Sequence, residues 1–289
     1  MSTAYRTELP RLTSRLSLGP EQLRVSPFCL GMTKSPETIS AAFDAGINFF
    51  FISADMHWPL YEHTRQGLAE LLARGSSVRD SIVVAGVCYP TQPEFCTVPF
   101  HELIAAVPGL NRLDLLLAGG AYGIEFARRW PVYQQHRQSR FAGNKAVGAT
   151  FHDRSAAAHA VSERELDIAF IRYNPDHAGA QEDVFPRLPR HPRPLLFGFN
   201  STFRYVPPQR MSELGLVTPE YWHPQITDHY RFALTRCYLD GLLIGLKTPR
   251  EVADLSAALE QGPLTEEEES YLIDVSGVAR GESRVVPDG

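Results

Sequence analysis

Short apolar runs alternate with stretches of helical spacing along most of the chain. The runs occupy residues 24–30, 46–53, 81–87, 113–118, 146–150, 168–173, 195–199 and 239–244. They are apolar on both faces, as strands of a parallel sheet covered on both sides are. The segments between them carry apolar residues at helical spacing. Ser35 and Pro36 open the first, which presents Ile39, Ala42 and Phe43 on one side. Residues 61–74 bring Leu68, Leu71 and Leu72 together, and a short helix is expected at 101–107. Phe126, Trp130 and Tyr133 mark another helix, whose second half Pro131 should begin or kink. Further helices are expected at 155–161, 180–188 and 227–236, and Thr248 should cap the closing helix. An appended helix from Pro263 starts with acidic residues, as the helix dipole favours.

Eight strand–helix units of about 25 to 35 residues predict an α/β fold, a single (β/α)8 TIM barrel. The domain spans 1–289, with an N-terminal arm over about 1–22 and the appended helix over about 263–280. The arm is either loosely attached or a short hairpin closing the barrel bottom. A doubly wound open sheet would compete, but no G-x-G-x-x-G follows the first strand.

The chemistry concentrates where the second strand ends. Gly46-Ile-Asn-Phe-Phe-Phe-Ile-Ser runs into Asp55, His57, Trp58, Tyr61, Glu62 and His63 before helical spacing resumes. Catalytic residues of such barrels lie at the carboxyl ends of their strands. His57 puts an imidazole, a side-chain type suited to acid/base work, at this position, and Asp55 could fix its tautomer. Trp58 could wall a pocket, and Tyr61 stands on the first helical turn. Weaker rim candidates are Tyr89 after strand three, His152 and Asp153 after strand five, Arg172 and Tyr173 ending strand six, and Asn200, Ser201 and Arg204 after strand seven. Arg172 suits a carboxylate or phosphate, and Asp153 also suits a helix cap. Asp55, His57, Glu62 and His63 are metal-ligand types, but no H-x-x-x-H or related spacing puts two on one face, so no metal is expected.

The same stretch resembles the aldo-keto reductases, whose pattern "G-[IV]-N-F-[FI]-D-T-A" leads to a catalytic tyrosine. Ala146-Val-Gly-Ala-Thr150, Leu166-Asp-Ile-Ala-Phe-Ile-Arg-Tyr-Asn174 and Leu243-Ile-Gly-Leu-Lys-Thr-Pro249 are similar to later motifs of that family, in the same order. The resemblance implies the family's barrel and, in an ordinary member, hydride transfer from NADPH to a carbonyl. There a tyrosine protonates the alkoxide, lysine and aspartate tune it, and histidine orients the carbonyl. Carried over, the aspartate falls on Phe51 or Ile52, the tyrosine on His57, the lysine on Val87 and the histidine on Gly119. The strand-six glutamine that holds nicotinamide becomes Phe170, and the aromatic partner of the ring survives as Phe197 or Phe199. In the last loop Glu251 replaces an arginine, which leaves Lys247, Thr248 and the helix N-terminus to attract a phosphate.

Charge is nearly balanced, with 28 Lys and Arg against 33 Asp and Glu, so no basic face for nucleic acid is evident. The stretch 187–193, RLPRHPR, is locally basic, and its prolines suit an exposed connector. No run approaches the roughly 18 apolar residues of a membrane span, and no signal-peptide core is present, which suits the cytoplasm. Cys29, Cys88, Cys96 and Cys237 are scattered, as reduced and mostly buried thiols are.

Three functions fit these residues. The first is an enzyme without the reductase tetrad and without a cofactor, doing non-redox acid/base chemistry on a small-molecule or modified-peptide biosynthetic intermediate. His57 would be its acid or base, Asp55 its orienter, and Tyr61, Trp58, Tyr89, Arg172 and Phe199 would line the substrate. The second is an NADPH-dependent oxidoreductase that uses His57 as a substitute acid and holds the cofactor through Lys247 and Thr248. The third is a non-catalytic binding or partner subunit.

Overall fold

The run of five residues Phe49–Ser53 is buried throughout, because it is a strand with neighbours on both edges and side chains on both faces. It is the second strand of a closed, all-parallel barrel. In a computed structural model that describes residues 5–163, 166–188, 193–217 and 222–281, the barrel strands are β1 (Phe28–Leu30), β2 (Phe49–Ser53), β3 (Val83–Cys88), β4 (Leu115–Ala121), β5 (Ala146–Phe151), β6 (Ile168–Arg172), β7 (Leu195–Phe199) and β8 (Gly241–Ile244). Each pairs with its neighbour in sequence, and β8 closes on β1 through Leu242 and Phe28. Helices pack outside, the longest being Gly123–Ser139. The expected (β/α)8 barrel is the observed fold.

The details depart from the sequence pattern where backbone hydrogen bonding overrides apolarity. The first run divides: Leu23–Val25 pairs antiparallel with Leu16–Leu18 in a hairpin, and only Phe28–Leu30 enters the barrel. The turn of that hairpin packs Gly19 near Ala146 and Asp167 at the bottom of the barrel, so the arm is a closing hairpin. Strand β4 does not stop before Gly119 but continues to Ala121, with a register shift after Ala118. Pro131 lies inside a continuous helix. Ser35 does not cap its helix; its hydroxyl bonds the Glu37 carboxylate, and Pro36 holds the cap position. An unforeseen helix, Pro208–Glu213, lies in the insert after β7. Pro219, residues 189–192 of the basic stretch, residues 1–4 of the arm and the C-terminal 282–289 lie outside the described residues.

The amino-terminal end of the barrel is fastened by a repeated device. Asn48, Asp114, Asp167 and Asp240 stand immediately before β2, β4, β6 and β8. Each accepts a backbone N–H from the segment before it: Ser26 at 2.8 Å, Val84 at 2.9 Å, Val147 at 2.9 Å and Leu196 at 2.7 Å. The three aspartates also pair with arginines, Arg79 at 2.9 Å, Arg137 at 2.8 Å and Arg193 at 2.6 Å. A carboxylate with both a backbone donor and a guanidinium has its lone pairs satisfied, which is the condition for burying it.

Candidate active site

The carboxyl ends of the strands open into a cavity of about 520 Å³. Phe51, Trp58, Tyr61, Tyr89 and Phe199 form its apolar wall. Lys34, Thr150, His152, Asn200, Ser201 and Lys247 supply polar groups. Their positions follow from the strands that carry them. Phe51 lies on the interior face of β2, Tyr89 directly follows β3, Thr150 lies near the end of β5 and His152 directly follows it, and Asn200 follows β7. Asn200 takes a left-handed conformation with φ of 57°, and its carbonyl accepts the side-chain amide of Asn174 at 2.7 Å. The next side chain, Ser201, is 2% exposed and its hydroxyl has no hydrogen-bond partner among the described residues.

An aromatic column joins this wall to the barrel core. Phe49 meets Phe197 at 5.8 Å between centroids, Phe197 meets Phe170 at 5.5 Å, and Phe170 meets Phe51 at 5.9 Å. Phe51 then meets Tyr61 at 6.1 Å, Tyr61 meets Trp58 at 5.6 Å, and Trp58 meets Tyr89 at 5.6 Å. Of the two positions onto which the family's aspartate could fall, Phe51 is therefore the interior one and Ile52, next to it on the strand, faces the helices. Phe170 points into the barrel, its ring 5.9 Å from Phe51 and 5.5 Å from Phe197. Gly119 is also explained. A Cβ there would lie 2.7 Å from two ring carbons of Tyr89 and 2.8 Å from Val87 Cγ2, so the Tyr89 ring fills the space a strand-four side chain would need.

The sequence-expected residues divide between those the fold gathers and those it leaves outside. Tyr61, Trp58, Tyr89, Phe199 and Lys247 line the cavity. His57 and Asp55 do not: both are exposed, and neither is part of the wall. Asp55 Oδ1 accepts the His57 backbone N–H at 3.1 Å, a local turn that uses the carboxylate to shape the loop, and no bond joins Asp55 to the imidazole. The expected His57–Asp55 pair at the mouth is therefore corrected to a turn on the outer lip. Arg172 lies beside the cavity, not in its wall. Asp153 caps the following helix, accepting from Ser155 and Ala156. Thr248 occupies the cap position of Pro249–Glu260 without a side-chain cap bond. The residue that sequence reasoning ranked too low is His152, whose only signal was its place just after a strand.

Titration in the cavity follows burial. Desolvation pushes the Tyr61 phenol well above its usual pKa, with smaller contributions from Tyr89 and Cys29. Desolvation, then the nearby Asp55 charge, pushes Tyr89 up to about 12. Both phenols are protonated at neutral pH and act as hydrogen-bond donors. His152 moves the other way: desolvation and then Arg172 lower its pKa, so its imidazole is neutral. Arg172 stands 3.5 Å from His152 Nδ1, at the limit of a hydrogen bond. At the far end, the Lys247 backbone N–H donates to the Glu251 carboxylate at 2.7 Å, so a side chain of the protein already holds the negative charge at that helix start.

The sequence matches no family model and no curated protein. The fold has clear counterparts. An aldo-keto reductase from Bacillus halodurans, solved in its holo form, superposes with a TM-score of 0.69 at 14% identity, over 90% of this chain and 95% of that one. An aldo-keto reductase from Bombyx mori, solved in complex with NADP, gives 0.66 at 17% identity, over 93% of each chain. The chain thus has the aldo-keto reductase form of the (β/α)8 barrel. No helix among the described residues is long and apolar enough to cross a membrane.

Proposed function

We propose that this chain uses the aldo-keto reductase barrel for non-redox acid/base chemistry on a small-molecule or modified-peptide intermediate bound in the apolar cavity. The observation that carries the reading is the setting of Tyr61: a buried phenol in the cavity wall, ringed by Phe51 and Trp58 and set in the same wall as Tyr89 and His152. A reductase tyrosine needs a cation to lower its pKa and a histidine to orient the carbonyl. By the resemblance those positions are Val87 and Gly119, and the Tyr89 ring closes the second. In this reading neutral His152 takes up and returns the proton, and the phenols of Tyr61 and Tyr89, which burial keeps protonated, orient the substrate as hydrogen-bond donors. Elimination, isomerisation, cyclisation and hydrolysis are open to such a set.

The residues present do not fit NADPH. Phe170, packed in the column, replaces the amide that would hold the carboxamide, and Glu251 takes the anion position beside Lys247. No step is therefore routed through a dinucleotide. A second reading, an NADPH-dependent oxidoreductase, draws on Phe199 and on the two lysines, Lys34 and Lys247, at the cavity edge.

One experiment separates them. The protein is incubated, without and with NADPH, with the small-molecule extract of a strain lacking it, and products are followed by mass. A product of unchanged mass, or one differing by water, formed without NADPH supports the first reading. A product differing by two hydrogens, formed only with NADPH, overturns it in favour of the second. In the first case Tyr61→Phe and His152→Ala each lower turnover by about 100-fold or more. His57→Ala stays close to wild type, because the ring lies outside the wall; a loss of similar size there would return the chemistry to the outer lip.

A further inference from the structure

A second, smaller cavity of about 210 Å³ adjoins the first, with His152 in the wall of both. Its walls are Tyr122, His152, Arg154, Arg172 and His177. We infer that it is an anion subsite, where a carboxylate or phosphate group of the molecule in the larger cavity docks against Arg172. The inference rests on the reading that the larger cavity is a substrate site, and it specifies the chemistry of that substrate.

Arg172 differs in what it bonds from the arginines that fasten the barrel. Arg79, Arg137, Arg193 and Arg231 each reach a carboxylate at 2.6 to 2.9 Å. Arg129, buried behind Tyr89, spends its guanidinium on the carbonyls of Tyr89, Pro90 and Gly119. Arg172 forms no ion pair among the described residues. One of its terminal nitrogens is 3.4 Å from His177 Nε2, the other 3.5 Å from His152 Nδ1, and its guanidinium carbon lies 5.9 Å from the Phe203 ring centre. A guanidinium has five donors and no acceptor, and its fork matches a carboxylate or phosphate. Two imidazoles at the long limit of hydrogen bonding leave most of that capacity unused.

The carboxylates nearby are already committed. Asp176 is held by His177 at 3.0 Å and by Arg204 at 3.4 Å, and also by Arg280. Asp183 takes both forks of Arg154, at 2.5 to 3.0 Å. Neither neutralises Arg172, so an incoming anion meets a charge with no internal competitor. The surroundings also suit a flat group leading inward. Tyr122 stacks on His152 at 6.0 Å, and His152 meets Phe199 of the larger cavity edge-on at 5.6 Å. An aromatic or planar body in the larger cavity would thus carry its acidic group past His152 to Arg172.

The test needs no turnover, so it can fail independently of the proposed reaction. The full chain is titrated calorimetrically with benzoate, phenyl phosphate and the neutral benzamide. At least one anion is expected to bind in the millimolar range or tighter, at least about tenfold tighter than benzamide. Benzoate alone binding assigns a carboxylate, phenyl phosphate alone a phosphate, and both an anion site tolerant of either. Arg172→Gln should cost about tenfold or more in affinity, and Arg172→Lys less, since it keeps charge but loses the fork. Thermal melts establish that the variants fold, and if Arg172→Gln does not, Arg172→Lys and His177→Gln carry the comparison. Anion affinity unchanged in the folded variants, benzamide binding as tightly as benzoate, or no anion binding up to about 10 mM would each overturn the inference.

Discussion

At the amino-terminal end of the barrel, Asp114 satisfies Val84 N–H, Arg79 and Arg112 together, and both Asp114 and Arg79 are buried. At the carboxyl-terminal end, Arg172 has two long contacts to neutral imidazoles and no carboxylate, while Tyr61 and Tyr89 sit among aromatic rings. One end uses charge to hold strands in register, with each buried carboxylate matched by a guanidinium. The other places its donors at the edge of a cavity, where a ligand can take them up. The contrast fits the general division of such barrels, stability below and chemistry above. It also tells where substitutions should unfold the protein and where they should alter only its ligands.

The largest effect is expected from Asp114→Ala. It leaves the Arg79 guanidinium buried and the Val84 N–H without its side-chain acceptor, and breaking a buried pair from one side costs about 3 to 5 kcal/mol. Urea unfolding measures it; a loss below about 1 kcal/mol would mean that the paired bottom is ornamental. A comparable effect on the mouth side needs acid. His229 is buried beside the loop after β7, and desolvation lowers its pKa to about 4 from the usual 6.5. The unfolded chain binds the proton first, so stability should fall as pH drops from about 6.5 toward 4, by up to about 3 kcal/mol. His229→Gln should flatten that part of the pH–stability curve, and an unchanged slope would place the acid sensitivity elsewhere.

Gly119→Ala probes the crowding at the top. With Tyr89 and Val87 under 3 Å from the new methyl, overpacking should cost about 1 to 3 kcal/mol. Adding Tyr89→Ala should recover much of this in a double-mutant cycle, because the two side chains compete for one space; strict additivity would count against that competition. The smallest effect is expected from Arg172→Gln. Removing a half-exposed cation with no ion pair should move stability by no more than about 0.5 kcal/mol. A loss as large as that of Asp114→Ala would erase the distinction between the two ends.

Sequence reasoning found the barrel and part of its mouth for identifiable reasons. Strands buried on both faces are almost wholly apolar, as in Phe49–Ser53, and that pattern can be read from the chain alone. Tyr61, Trp58, Tyr89 and Phe199 were legible because residues just after a strand reach the mouth. The same rule failed for His57 and Asp55, because the loop after β2 turns outward through the Asp55 bond to His57 N–H before Tyr61 returns. Nothing local to the motif reveals which way the loop turns.

The sequence by itself determined the number and order of strands, the apolar interior, the free thiols and the absence of a glycine-rich dinucleotide turn. These depend on periodicity and residue type, which are local. Only the tertiary structure decided that Tyr89 occupies the space above Gly119, that Glu251 answers Lys247 N–H, and that His152 stands between two cavities beside an unpaired Arg172. The Lys247 bond is local to one helix start, but the other two are distances between residues on different strands or loops. Those distances are set by the closure and register of the barrel, which bring together residues that the order of the chain keeps apart.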